Sequence, residues 1–290
     1  MRTRFAPSLT GYLHLGHVLH LLYVWGVAHK MGAKIICRME DHDWSRARPE
    51  YERAIFHTLD VLGLVPDLGI SAKHAAGPSE FRQSDCGAYY ESVLQRLEKR
   101  GLVYGCACSR KQIAAKQSQE AEELCYTGTC SDKGLPLEGN TVRFRTLAGE
   151  TVFHDLNVGE QRQTPRNQCG DFSLRDRQGQ WTYQFACVCD DLRQGVDLVI
   201  RGEDILFSTA RQIQLFQTLE APVPRYYHHP LLLDESGKKL SKRQHSESIS
   251  RWYDAGATSE EIMGQALFAG GLRLNSAPCS LREALAVIPF

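Results

Sequence analysis

Two stretches of this chain carry side chains suited to handling phosphate. The first is His14-Leu15-Gly16-His17, which follows a short apolar segment and Pro7 and opens a run with helical spacing. A helix N-terminus carries unpaired N–H groups and a partial positive charge, so it attracts phosphate. Imidazoles at i and i+3 lie on one side of that turn, and each can donate to a phosphate oxygen. Gly16 lets a nucleotide approach the backbone. The second stretch is Lys239-Leu240-Ser241-Lys242-Arg243, preceded by Ser236-Gly237-Lys238. Such a loop is cationic and can close over a triphosphate, neutralising charge that develops on its oxygens. Taken singly, the first stretch reads as well as two surface histidines beside a packing glycine. The second is more often a solvated basic turn. A third group, Cys106, Cys108, Cys125 and Cys130, has by spacing alone the look of a four-cysteine zinc site. Its plain alternative is a set of free cysteines in a reduced protein.

The elements that must position these groups follow from periodicity. Thr3–Ala6 reads as a strand ending at Pro7, and Leu15, Val18, Leu19, Leu22, Trp25 and Ala28 recur at helical spacing as far as Gly32. Residues 34–39 read as a second strand, and Pro49 opens a second helix. Strand–helix–strand–helix order implies a parallel sheet in an α/β domain. Residues 80–101 read as a further helix. Residues 102–185 hold the cysteines and short alternating segments, as an inserted α+β subdomain would. Ser208–Leu219 reads as a helix, Tyr226–Leu233 as a strand, and the tail has two capping boxes, Thr258 with Glu261 and Ser280 with Glu283. The division expected is 1–101 and 186–243 for the two halves of a catalytic domain, 102–185 for the insert, and 244–290 for a helical tail.

Composition narrows the classes. With 42% hydrophobic and 23% charged residues the chain is neither disordered nor collagen-like. Its 34 basic and 34 acidic side chains give no net charge, which argues against wholesale polyanion binding but not against a local basic face. No apolar run is long enough to span a bilayer, and no signal-peptide core opens the chain. A cytoplasmic protein, with monomer as the favoured state, is expected.

The two phosphate-handling stretches, in this order on an α/β frame, resemble the signature motifs of class I aminoacyl-tRNA synthetases. The run from Arg4-Phe5-Ala6-Pro7-Ser8 to His17 resembles the opening of glutamyl-tRNA synthetases, as do Arg38-Met39-Glu40-Asp41-His42-Asp43, Asp190-Asp191 and Val199-Ile200-Arg201-Gly202-Glu203-Asp204. The resemblance implies a Rossmann-like catalytic domain that activates glutamate with ATP and magnesium. It implies catalysis by His14, His17 and Lys242, with Pro7, Gly16, Lys239 and Ser241 also holding ATP. A carboxylate side chain needs fixed positive charge, best from arginine forks. By resemblance Arg4 and Arg201 supply it, with Ser8 assisting, Glu40 meeting the α-ammonium group and Tyr183 lining the pocket. The plainer reading of Arg201 is a structural ion pair with Glu203.

The cysteine region resembles more closely the glutamyl-Q tRNA(Asp) synthetases, in which a tyrosine completes a zinc site. That implies Cys106, Cys108, Tyr126 and Cys130 as ligands of one structural Zn²⁺. The short stretch after Arg243 also fits that family, whose acyl acceptor is the queuosine base in the anticodon loop of tRNA(Asp). RNA contact is expected from basic residues such as Arg96, Lys99, Arg100, Arg110, Lys111 and Lys116, and Lys238, Lys239 and Arg243. Other readings stay open: a shortened glutamyl-tRNA synthetase paralogue with another acceptor, a catalytically idle binder of amino acid or RNA, and a small-molecule carboxylate ligase such as pantothenate synthetase.

Overall fold

Strand β1 (Arg2–Phe5) leads through the Pro7 loop into α1 (Leu15–Met31), which returns the chain to β2 (Lys34–Cys37). β2 is parallel to β1, with Arg4 opposite Ile36, and on its other side meets the short β3 (Leu68–Gly69), also parallel. Helix α2 (Pro49–Val61) forms the second crossover and starts on Pro49, where a missing N–H costs nothing. The computed structural model describes residues 1–43, 45–72, 77–116, 123–232 and 248–290.

The expected helix over 80–101 is divided. A 3₁₀ turn spans Gln83–Cys86 before α3 (Gly87–Lys99), because the preceding backbone is pinned through Ser79 N–H to the Asp85 carboxylate. Beyond it lie β4 (Val103–Cys106), α4 (Arg110–Ala114), β5 (Thr141–Phe144), β6 (Thr151–Asp155), β7 (Gly159–Gln163), α5 (Pro165–Gln168) and β8 (Ser173–Arg175). β4, β5 and β8 form an antiparallel sheet in the order β4-β5-β8. The β6–β7 hairpin does not join it.

The second half of the frame comprises α6 (Tyr183–Gln194), β9 (Leu198–Gly202), α7 (Thr209–Thr218) and β10 (Arg225–His229). β10 is parallel to β9 on one side and to β6 on the other, giving the order β7-β6-β10-β9. β9 lies beside β1, where the Asp197 N–H reaches the Arg2 carbonyl at 3.1 Å. The parallel strands therefore point their C-terminal ends toward one edge, where open α/β sheets bind ligands. The tail forms α8 (Ile249–Asp254), α9 (Ser259–Ala269) and α10 (Leu281–Ala286). Both expected capping boxes are present, at Thr258 with Glu261 and at Ser280 with Glu283. Among the described residues no helix is long and apolar enough to cross a membrane.

Helix α1 is apolar nearly all round because it is covered on both sides. Val18 to Ala28 are buried almost without interruption, between β1, β2 and β9 on one face and α9 and α10 on the other. A Cβ placed on Gly26 would stand 2.8 Å from Ile288 Cβ, so glycine is what lets the tail close on the helix. Gly26→Ala sets a helix-propensity gain of about 1 kcal/mol against an overpacking cost of about 1–3 kcal/mol. A lower melting temperature is expected by scanning calorimetry; an increase would mean that the tail yields at no cost.

Candidate active site

His14 is the N-cap of α1. Its Nδ1 accepts the Gly16 N–H at 3.1 Å, while His17 Nδ1 accepts the His14 N–H at 3.1 Å, a capping box built from two imidazoles. Two N–H groups that an uncapped helix would offer to an anion are therefore satisfied within the turn. With both Nδ1 atoms accepting, the hydrogen-bond network assigns the proton of each neutral ring to Nε2. The turn thus keeps the ring N–H donors that the sequence suggested, with two of its backbone N–H groups already taken up. A Cβ on Gly16 would lie 3.0 Å from the His14 ring, so this glycine also makes room for the cap.

His14, Gly16 and His17 line a cleft of about 490 Å³. The same walls carry Pro7 and Ser8 from the loop after β1, Arg4 and Glu40 from strand ends, Tyr183 from the start of α6, and Arg201 from β9. Every described residue assigned to ATP or glutamate on sequence grounds is thus gathered in one place. Lys239, Ser241 and Lys242 lie outside the described residues. The described flanks of that stretch meet the cleft: Leu232 lines it, Ser248 bridges to His14, and the Ile249 N–H reaches the Leu13 carbonyl at 2.8 Å.

Beneath the cleft floor sits a group of buried charges. Arg4 places Nε 3.3 Å from Asp191 Oδ1 and donates Nη1 to the Ile200 carbonyl. Arg38, with no exposed surface, reaches the same Asp191 at 2.7 Å and Glu40 at 3.0 Å. Burial alone would raise the Asp191 carboxyl, but Arg38 and Arg4 outweigh it and hold it below the usual carboxylate range. Asp190 accepts from the Tyr90 hydroxyl at 2.8 Å and from Gln83 at 2.9 Å. Arg38, which holds Glu40 and Asp191 in place beneath the cleft, is a residue to which sequence reasoning assigned no role. The available signal was an alternation that puts Arg38 and Glu40 on one face of an extended segment, but its partner Asp191 lies far along the chain.

Arg201 is held at every nitrogen. Nε donates to His228 Nε2 at 2.9 Å, Nη1 to Gln212 at 2.7 Å and to the Tyr183 hydroxyl at 3.4 Å, and Nη2 to Thr209 at 2.8 Å. These partners are neutral, so the guanidinium is oriented without being neutralised by Glu203. His20, one turn beyond His17, also faces the cleft and lies 2.8 Å from His229 Nε2. His229 Nδ1 faces the Pro230 carbonyl at 2.9 Å, which can only accept, so His229 donates there and His20 donates to His229. Burial pushes His229 down to about 4 and His20 well below the ordinary histidine range, so this pair stays neutral.

The thiols of Cys106, Cys108 and Cys130 lie within 4.8 Å of one another and could hold a metal ion. The Tyr126 hydroxyl stands among them, 3.7 Å from Cys108 Sγ and accepting the Cys130 N–H at 2.9 Å. Cys125 turns away to the Arg166 carbonyl. Burial, the largest single influence on Cys130, opposes its thiolate, but hydrogen bonds from Tyr126, the Ala107 backbone and Cys108 outweigh it and bring it to about 7. Arg143 covers the Tyr126 ring, its guanidinium 3.8 Å from the centroid.

With this geometry in place, comparison with known proteins is specific. Residues 1–283 match the family described as tRNA synthetases class I (E and Q), catalytic domain. A glutamyl-Q tRNA(Asp) synthetase of Rhodobacter capsulatus is 36% identical over 282 residues, covering 90% of this chain and 98% of that one. A glutamate–tRNA ligase of Alkalilimnicola ehrlichii is 37% identical over 275 residues, which cover 91% of this chain but 57% of the ligase. Among solved structures, a glutamate tRNA ligase of Elizabethkingia meningosepticum in complex with its amino acid aligns with a TM-score of 0.79 at 26% identity, covering all of this chain and 64% of that one.

The charges under the cleft yield one measurable consequence. Arg38→Met leaves Glu40 without its buried cation and removes one of the two described arginines that meet Asp191. A loss of about 3–5 kcal/mol in unfolding free energy is expected from urea denaturation. A loss below about 1 kcal/mol would mean that water or a neighbour replaces the guanidinium.

Proposed function

The chain belongs to the class I tRNA synthetases for glutamate and glutamine and is a ligase of that family; from this we propose that it activates L-glutamate with ATP and transfers it to the queuosine base of tRNA(Asp). The observation that carries the first step is the single cleft in which two Nε2–H imidazoles face two arginines and a glutamate.

In the proposed step an α-carboxylate oxygen of glutamate bonds to the α-phosphorus of ATP, the bond from that phosphorus to the bridging oxygen breaks, and pyrophosphate departs. The nucleophile is already ionised, so no protein base is needed. Catalysis comes from positioning and from stabilising charge on the phosphoryl oxygens. His14 and His17 donate from Nε2, and Lys242 adds a positive charge. ATP enters as its magnesium complex. Arg201 and Arg4 receive the side-chain carboxylate, Ser8 adds a hydroxyl, Tyr183 walls the pocket, and Glu40 meets the α-ammonium group. In the second step a hydroxyl oxygen of the queuosine ring bonds to the activated carbonyl carbon, the bond from that carbon to the phosphate oxygen breaks so that AMP leaves, and the hydroxyl proton passes to the departing phosphate or to water. Support for that acceptor is the match to glutamyl-Q tRNA(Asp) synthetase over nearly the whole length of the relative.

Cys106, Cys108, Cys130 and Tyr126 suit one Zn²⁺: three sulfurs and one oxygen converge, while Cys125 points elsewhere. When bound there, the metal cross-links a subdomain whose own core around Tyr104 is small.

Two measurements test these readings. Exchange of labelled pyrophosphate into ATP should require glutamate but no RNA, and should fall about 10²-fold in His14→Ala and in Lys242→Ala; exchange indifferent to both changes would remove this mechanism. Labelled glutamate offered to tRNA(Asp) with and without queuosine, and to tRNA(Glu), should appear only on the first; label on tRNA(Glu) alone would move the acceptor. For the metal, zinc per chain measured by mass spectrometry should drop in Cys130→Ser and in Tyr126→Phe and hold in Cys125→Ser. The opposite pattern at Cys125 and Tyr126 would reassign the fourth ligand.

A further inference from the structure

Asp155 and His228 lie at the ends of adjacent parallel strands, β6 and β10, and neither has exposed surface. His228 Nδ1 is 2.6 Å from Asp155 Oδ2, and His228 Nε2 is 2.9 Å from Arg201 Nε. A guanidinium nitrogen can only donate, so His228 Nε2 must accept. The imidazole proton is therefore on Nδ1, where the carboxylate receives it. Thr209 approaches the same Nε2 at 3.2 Å and also accepts from Arg201 Nη2 at 2.8 Å, which ties the two side chains together again. Asp155 is itself fixed: its Oδ1 accepts the backbone N–H groups of Asn157 at 2.9 Å and Val158 at 3.0 Å.

We infer that Asp155 and His228 are positioning residues for the reaction proposed above: the carboxylate fixes the tautomer of His228, and His228 fixes the orientation in which Arg201 presents its guanidinium to the glutamate side chain. This rests on the reading of Arg201 as the carboxylate clamp. Burying a carboxylate and an imidazole behind a substrate-facing arginine is costly for fold stability alone, since an apolar pair could fill the space. What the pair supplies is a directional acceptor at Arg201 Nε that leaves the charge of the guanidinium uncompensated. Arg201 can then meet a substrate carboxylate at full strength. A direct Asp155–Arg201 ion pair would have used up that charge.

The geometry makes Asp155→Asn an informative variant. Oδ1 is committed to two backbone N–H groups, so the asparagine amide NH₂ must stand where Oδ2 was, 2.6 Å from His228 Nδ1. An amide donating there forces the imidazole proton onto Nε2, donor against donor with Arg201 Nε. The turn at 155–158 keeps its acceptor, and the His228 backbone N–H, 3.3 Å from Oδ1 and 3.2 Å from Oδ2, keeps Oδ1, so a purely structural role for Asp155 would be little disturbed. His228→Gln places a carbonyl oxygen near the former Nε2 and restores an acceptor, whereas His228→Leu supplies none.

The test is glutamate-dependent pyrophosphate exchange with KM determined separately for glutamate and ATP. Asp155→Asn and His228→Leu should raise KM for glutamate about tenfold or more with KM for ATP within twofold, and His228→Gln should recover most of the loss. A KM for glutamate within twofold of wild type in Asp155→Asn overturns the inference. So do equal changes for both substrates, which would mark a structural role. Absence of exchange in the wild-type protein would count against the activity itself, so a second readout is independent of it. Nitrogen-15 shifts of His228 should report Nδ1–H in the wild type and Nε2–H in Asp155→Asn; Nε2–H in the wild type overturns the relay whatever the substrate.

Discussion

The architecture of the cleft depends on a small set of buried charges that cannot exist singly. Taking an ion out of water costs several kcal/mol even after relaxation, and the cost is recovered only when opposite charges and hydrogen bonds meet it with good geometry. Asp191 on α6 is met by Arg4 from β1 and by Arg38 just past β2, and Arg38 also meets Glu40. Three segments from distant parts of the chain must arrive together for any of these charges to be tolerated. Closing the two halves of the sheet and building the cleft floor are therefore one event.

Above that floor the same atoms serve local structure and chemistry. The two imidazoles at the start of α1 cap the helix through Nδ1, and that use determines which nitrogen carries the proton. Helix capping thus sets the polarity of the cleft wall. His20 and His229 follow the same logic from another starting point, a backbone carbonyl that can only accept. In each case a backbone group decides a tautomer, and the tautomer decides what kind of ligand atom the ring can meet.

The β6–β7 hairpin ties the middle of the chain to the parallel frame. It leaves the antiparallel sheet of its neighbours in sequence and pairs with β10, because Asp155 is satisfied there by His228 and by the turn that follows. Through His228 this hairpin reaches Arg201. The cysteine group forms a separate small cluster with Tyr104 and Tyr126.

Much was legible in the sequence. The alternation of strands and helices, the glycine stop at Gly32, the Pro49 start and both capping boxes of the tail are decided by neighbours a few residues apart, and local physics fixes them. His14 and His17 could be picked out because their type and spacing at a helix start already suggest a chemistry, and Arg4, Glu40 and Arg201 because the motifs around them resemble those of glutamyl-tRNA synthetases. Tertiary structure alone decided what those residues do to one another: that Arg38 is buried against Asp191 and that Arg201 leans on His228 and Asp155 instead of Glu203. These are pairings across long stretches of chain, governed by the cost of leaving a polar group unpartnered in the interior. That cost depends on which segments happen to meet, and spacing along the chain carries no record of it.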